Sequence, residues 1–199
     1  MPTPALRCTA FAGTHRIASG ELRHVALKAK QVFDSEPDQP ILVFEDASGR
    51  VVELPLELPA GELLRTLNAE RAEADQAPAP TRGPARGPGR PRLGVVAREI
   101  TLLPRHWDWL SAQPGGASVT LRRLVEEARK VTADGDRRRV AQEAAYRFMH
   151  ALGGNLPEYE DATRALFAGN FVRFEEVLAH WPEDVREHAS LLAFDAFVH

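Results

Sequence analysis

Residues 94–130 read GVVAREITLLPRHWDWLSAQPGGASVTLRRLVEEARK, and the order of residue types in this stretch decides the expected fold. Its first part is rich in β-branched residues and leucine, which predicts a short strand over residues 95–103. Pro104 suits the first position of a helix, because the N–H that proline lacks would have no partner there. The sequence therefore predicts a strand that is followed directly by a short helix.

A second helix is predicted after the turn at residues 114–116, which contains one proline and two glycines. Ser118 is placed to cap this helix, because a serine side chain accepts a hydrogen bond from a free N–H of the first turn. Apolar residues then recur at spacings of three and four, which gives one continuous apolar stripe. The stripe residues are Leu121, Leu124, Val125, Ala128 and Val131. We call residues 95–133, with this strand and these two helices, the central block.

The central block resembles the ribbon-helix-helix module of bacterial transcriptional repressors and antitoxins. The resemblance is carried by the strand that ends at Leu103, by the Trp107 and Leu110 face of the short helix, by the turn at residues 116–118 and by the apolar stripe. It implies a homodimer, in which the strands of two subunits pair antiparallel and enter the major groove of DNA. Nearly the whole chain also resembles an uncharacterised bacterial family, a domain of unknown function, and this second resemblance implies no known activity.

Two registers of the predicted strand remain open. Counted back from Pro104 as in the resembling repressors, Arg98 faces the DNA and Thr101 points inward. Counted by hydrophobicity, Ile100 and Leu102 point inward and Thr101 faces out. A shift by one residue exchanges the two faces of a strand, so Arg98 and Thr101 are alternative candidates for contact with DNA.

Charge is distributed unevenly along the chain. The 199 residues carry a net charge of −3, but residues 76–139 hold 13 basic and 6 acidic side chains, a net charge of +7. Within this basic segment, residues 76–94 hold five prolines, four glycines, four arginines and no acid, a composition typical of an extended linker. Residues 89–92, GRPR, match part of the AT-hook core, which lays arginines into a narrow A·T minor groove. A solubilising spacer has the same composition, so both interpretations of the linker stay open.

The candidate DNA contacts come from the linker, the strand and the start of the second helix. The free N–H groups behind Ser118 form a natural seat for a phosphate, and Arg122 follows one turn later. The alternative is an ordinary cap on an ordinary surface helix. The candidates are Arg86, Arg90, Arg92, Arg98, Thr101, Ser118 and Arg122.

The segments that flank the linker and the central block complete an α+β fold. Residues 1–75 are predicted to form a small β-β-α-β-β domain, followed by a short helix that starts near Pro59. Residues 134–199 are predicted to begin with a turn, Asp134-Gly135-Asp136, and to continue as an all-helical region with short connections.

Composition limits the class of protein. No apolar run approaches membrane-spanning length and no secretory signal is visible, so we expect a soluble, cytoplasmic protein with no membrane partner. No phosphate-loop or dinucleotide motif is found, so neither catalysis nor a cofactor is expected. Cys8 is interpreted as a small core residue, and His180 and His188 as surface histidines rather than metal ligands.

The function predicted from these patterns is DNA binding by a homodimer, as a transcriptional regulator or a nucleoid-associated protein. The alternative is a non-catalytic interaction or ligand-sensing protein in which the central block serves only dimerisation. Within the block, Trp107 is expected to lie in the core beneath Leu121. Trp109, two residues along the helix, is expected to face outward or toward another element.

Overall fold

The computed structural model describes residues 6–76 and 98–198, and its α+β class confirms the prediction. An antiparallel three-stranded sheet near the N-terminus is followed by mostly helical structure. The linker candidates Arg86, Arg90 and Arg92 lie outside the described residues. The elements are β1 (Arg7–Ala12), β2 (His15–Glu21), α1 (Leu22–Ser35), β3 (Ile41–Glu45), α2 (Ala60–Gln76), α3 (Pro104–Ser111), α4 (Gly116–Gly153), α5 (Tyr159–Ala168), α6 (Phe171–Leu178) and α7 (Glu183–Phe197).

The sheet has the strand order β2-β1-β3. The predicted fifth element of the N-terminal domain, a returning strand after β3, is reduced to an isolated bridge between Phe44 and Val51. Pairing ends after the Val52 N–H donates to the Val43 carbonyl at 2.7 Å. Pro55, three residues further on, has no N–H with which to extend the ladder.

β1 is the central strand, and its residues from Cys8 to Ala12 are buried. Alternate side chains of a strand point to opposite faces. Cys8 and Ala10 belong to a cluster with α1 and Leu63, whereas Phe11 belongs to a second cluster with the C-terminal helices. Both faces of this small sheet are therefore covered.

Three phenylalanines join the sheet to the C-terminal helices. The ring of Phe148, on α4, lies 5.3 Å from that of Phe11 and 4.9 Å from that of Phe44, measured between centroids. The chain accordingly divides into one compact unit of residues 1–71 and 134–199 and a second unit of residues 72–133. The residue patterns predicted the N-terminal domain and the helical region as separate segments. The structure places them around a common core, because Phe11 and Phe44 need a cover that α1 does not supply.

The turn after β3 packs directly against α4. Gly49 adopts φ = 64°, and a Cβ added there would lie 2.0 Å from the carbonyl oxygen of Ala144. The Arg147 guanidinium donates a hydrogen bond to the Ser48 carbonyl at 2.9 Å. Only glycine accommodates this close approach together with a positive φ.

The predicted turn at Asp134-Gly135-Asp136 is wrong, because α4 continues through it as one helix of 38 residues. Asp134 pairs with Arg137, and Asp136 pairs with Arg139 at 2.8 Å. Such i,i+3 pairs stabilise helical backbone and offset the low helix propensity of Gly135. The downstream helices occur as predicted: α5 ends at Gly169 (φ = 67°), and the Asn170 side chain caps α6. Among the described residues, no helix is long and apolar enough to cross a membrane.

Candidate functional site

The described part of the central block consists of an extended segment, residues 98–103, followed by α3 and the first turns of α4. Pro104 occupies the first turn of α3 as predicted, after Leu103 in an extended conformation (φ = −66°, ψ = 149°). Gly115 and Gly116 form the turn to α4 with φ of 85° and 72°. At Gly115 an added Cβ would lie 3.1 Å from the Val119 side chain. The turn is therefore closely packed, and its backbone is in the left-handed region.

The predicted strand is not formed over residues 98–103, which make no β-ladder in the single chain. A strand needs a hydrogen-bonded neighbour, and no other described segment pairs with these residues. Leu102 lies partly buried, whereas Arg98, Ile100 and Thr101 are exposed. Both predicted registers place Ile100 and Leu102 on the same face of the strand. The structure agrees with neither register, because Leu102 is partly buried and Ile100 is exposed.

α3 and α4 enclose a shallow apolar groove of about 280 Å³. Its lining residues are Leu102, His106, Trp109, Leu110, Leu121 and Leu124. Trp109, 51% exposed, therefore contributes to the groove, whereas Trp107 does not line it and is 39% exposed. The prediction that Trp107 lies in the core is wrong. The groove face of α3 is centred between Trp109 and Leu110, and Trp107 is rotated about 110° from that centre.

The apolar stripe of α4 is formed but largely uncovered. Leu121 is half-buried and Leu124, Val125, Ala128 and Val131 are exposed, with Val131 at 84%. Two of its residues line the groove, and the rest face solvent. Exposed apolar rows of this kind are common at interaction surfaces of proteins.

The predicted phosphate seat at Ser118 is not arranged as expected. α4 begins at Gly116, so Ser118 lies inside the first turn instead of before it. The Arg122 guanidinium turns back and donates through Nε to the Ser118 carbonyl at 3.0 Å. Both side chains are exposed, so the structure keeps Ser118 and Arg122 adjacent but without a serine cap.

The cations of the central block fall into two groups. Arg123 pairs with Glu127 and Arg129 with Glu126, each at 3.0 Å along α4. Within the described part of the chain, the other cations form no ion pair with a carboxylate. These are Arg98, Arg105, Arg122 and Lys130. They are the side chains of the block whose charge is available to an external anion.

Neither a metal centre nor a reactive cysteine is formed by the described residues. No cluster of three or more His, Cys, Asp or Glu is placed there to hold a metal ion. Cys8 is fully buried, as predicted, and burial, reinforced by the charges of Asp46 and Glu45, raises its thiol pKa to about 12. The thiol is therefore protonated at neutral pH and is a poor nucleophile.

His188 was interpreted as a surface residue, and this is wrong. It is 1% exposed, and its ring lies 4.7 Å from that of Phe148 and 5.5 Å from that of Phe11. Its Nε2 has no hydrogen-bond partner among the residues that the structure describes, and desolvation lowers its pKa to about 4. The signal in the sequence was its helical spacing: Val185, Ala189 and Leu192 share its side of α7.

Comparison with known proteins found similarity to a protein family but not to an individual protein. No curated protein and no solved structure matches it. The model of one protein family, described as an uncharacterized protein conserved in bacteria, matches residues 7–193. This match extends from the first strand into α7, so it includes both compact units. The chain therefore belongs to the family DUF2239 of uncharacterized proteins conserved in bacteria.

Proposed function

We propose that this protein binds DNA as a homodimer, as a transcriptional regulator or a nucleoid-associated protein, through the central block and the basic linker. The observation that carries the proposal is the uncovered apolar stripe of α4, which belongs to the same central block as four cations that form no ion pair with a described carboxylate. The exposed apolar stripe needs a second protein surface to cover it, and the cations are suited to bind an anion.

The argument for a homodimer starts from the exposed side chains. The side chains of Val125 and Val131 are exposed to solvent in the single chain. Removal of such apolar surface from water is favourable by roughly 25 cal/mol per Å². A two-fold axis lets the same patch on two copies cover itself. Residues 98–103 lie in the same block and form no β-ladder with any described strand, and antiparallel pairing with their symmetry mate would supply one.

The argument for DNA starts from the charge. Residues 76–139 carry a net charge of +7 in a chain whose total is −3. Arg98, Arg105, Arg122 and Lys130 are free of carboxylate partners among the described residues, and a dimer doubles their number. Phosphate contacts by such side chains release counterions, so DNA affinity should fall steeply with salt.

The experiment is a gel-shift titration of duplex DNA across a salt series, with light scattering on the same samples. The double variant Arg98→Ala, Arg122→Ala should lower affinity and flatten the salt slope by up to about two phosphate contacts for each chain. Arg164→Ala is the matched control, because Arg164 is exposed but pairs with Asp161 at 2.8 Å. An equal effect of the control, or an absence of DNA binding at low salt, would refute the DNA-binding proposal.

The second candidate is a non-catalytic interaction or ligand-sensing protein in which the central block serves only dimerisation. The ion pairs of Arg123 and Arg129 favour it, because they neutralise part of the positive charge on α4. A dimer that shows no salt-dependent binding to DNA would select this candidate.

A further inference from the structure

Helix α4 crosses the boundary between the two compact units of the chain. The boundary lies between residues 133 and 134, whereas α4 runs without interruption over Gly116–Gly153. Towards its C-terminus, α4 contributes five residues to the core: Ala141, Ala144, Ala145, Phe148 and Met149. From residue 122 to residue 137, every residue except Ala133 is exposed. Tertiary packing therefore stabilises the last turns of α4, while the middle of the helix depends on its own backbone and local ion pairs.

The residues from Val131 to Asp136 are mostly poor helix formers. Valine and threonine lose rotamer freedom in a helix, and aspartate competes for backbone hydrogen bonds. Glycine has the lowest helix propensity of any residue except proline. A Cβ added at Gly135 would lie in open space, so packing does not require a glycine there. The preceding residues 124–130, LVEEARK, are mostly good helix formers, and α4 is therefore weakest at residues 131–136.

The same residues would stabilise both ends of a break in α4. Glycine is the residue most often found just after the last turn of a helix, where the backbone becomes left-handed. Aspartate is among the best N-caps, because its carboxylate accepts a hydrogen bond from a free N–H of the first turn. A break at Gly135 would thus end the first half with glycine and begin the second half with Asp136 as its N-cap.

The continuous helix is favoured by ion pairs of the two neighbouring aspartates. Asp134 pairs with Arg137, and Asp136 pairs with Arg139. Pairs of this spacing stabilise a helix only slightly, and more weakly when salt screens their exposed charges. The continuous helix and the broken helix therefore differ little in free energy.

We propose that α4 is a hinged helix, which exchanges between the continuous form and a minor form broken at Gly135. Each half keeps its own helical hydrogen bonds, and the buried residues of the second half keep their packing. The break therefore lets the central block change direction while the core around Phe148 stays folded. Gly135 lies beyond Val131, the last residue of the apolar stripe, so the exchange does not depend on dimerisation or on DNA binding.

The test is amide hydrogen exchange of the full chain, followed by NMR residue by residue. In the continuous helix the N–H groups of residues 136–139 bond to the carbonyls of residues 132–135, and a break at Gly135 opens these bonds. We expect a minimum of protection at residues 136–139, with higher protection at residues 126–130 and 141–149. Gly135→Ala should raise protection at the minimum by at least about fivefold, equivalent to about 1 kcal/mol. The variant should fold, because its added methyl group meets open space.

Two replacements of Asp136 separate a hinge from general fraying of α4. Asp136→Asn and Asp136→Ala both remove the ion pair with Arg139, but only asparagine can still cap the broken form. Protection at residues 136–139 should be about tenfold or more higher in the alanine variant, whereas helix propensity alone accounts for about threefold. Gly61→Ala is the matched control, because Gly61 is a glycine of α2 whose added Cβ also meets open space. It should leave exchange in α4 unchanged.

Two results would overturn the hinge. The first is protection that falls steadily from residue 149 towards the start of α4, with no minimum at residues 136–139, since this would show fraying of the whole exposed part. The second is wild-type exchange at residues 136–139 in Gly135→Ala, since the glycine would then have no part in the opening.

Discussion

The replacement Gly49→Ala tests how closely the sheet and α4 are joined. Two costs arise at this position. An L-residue at φ = 64° costs about 1 kcal/mol. The added methyl group would also lie 2.0 Å from the backbone oxygen of Ala144. That oxygen belongs to a helix and cannot rotate away as a side chain would.

Relief of the clash requires the turn after β3 to move away from α4 by roughly 1 Å or more, since Cβ atoms rarely approach closer than van der Waals contact. This movement strains the hydrogen bond from Arg147 to the Ser48 carbonyl and loosens the packing of Phe44 on Phe148. Core overpacking costs about 1–3 kcal/mol, so together with the backbone cost we expect a total loss of about 2–4 kcal/mol. For a chain of this size each kcal/mol lowers Tm by about 2–4 °C.

The assay is urea and thermal unfolding followed by circular dichroism, with Gly169→Ala as the matched control. Gly169 has nearly the same φ, 67°, but nothing lies within 4 Å of its added Cβ. The control should therefore lose only the backbone cost of about 1 kcal/mol. If Gly49→Ala is no less stable than Gly169→Ala, the close approach of the turn to α4 is refuted.

The remaining predictions concern pH, assembly and the linker. The folded pKa of His188 is lowered to about 4 from 6.5, so the unfolded chain binds a proton that the folded chain does not. Stability should fall by up to about 3 kcal/mol as the pH drops from 6.5 to 4, and urea titrations of His188→Leu should show a flatter profile. Val125→Ser with Val131→Ser should reduce dimerisation in light scattering while the monomer stays folded, because both residues are exposed; a variant that dimerises as well as the wild type would contradict this dimer interface. Trp107→Ala and Trp109→Ala should each destabilise the central block by only about 1 kcal/mol in urea unfolding, well below the cost of truncating a buried aromatic, because the two rings are 39% and 51% exposed. Arg86→Ala, Arg90→Ala and Arg92→Ala together should flatten the salt slope of DNA binding by up to about three contacts, and an unchanged slope would remove the linker from the site.

Local residue patterns were sufficient for most of the helices. Pro104 at the start of α3 and the glycines of the turn before α4 act through the backbone of their own segments, so they can be recognised without a partner. The same holds for the apolar stripe of α4. In contrast, Asp134-Gly135-Asp136 has a composition typical of turns, but ion pairs with Arg137 and Arg139 keep it helical.

Tertiary structure decided what covers each apolar face. The residues of a face show that it is suited to burial, but not which segment packs against it. The sequence identified the apolar residues Phe11 and Phe44, and the fold placed Phe148 and His188 against Phe11. For the same reason, the hydrogen bond from Arg147 to the Ser48 carbonyl joins residues far apart in the chain, and no local pattern predicts it. Residues 98–103 show that composition alone does not decide whether a strand forms. Their composition favours a strand, but a strand forms only where a second strand supplies its hydrogen bonds.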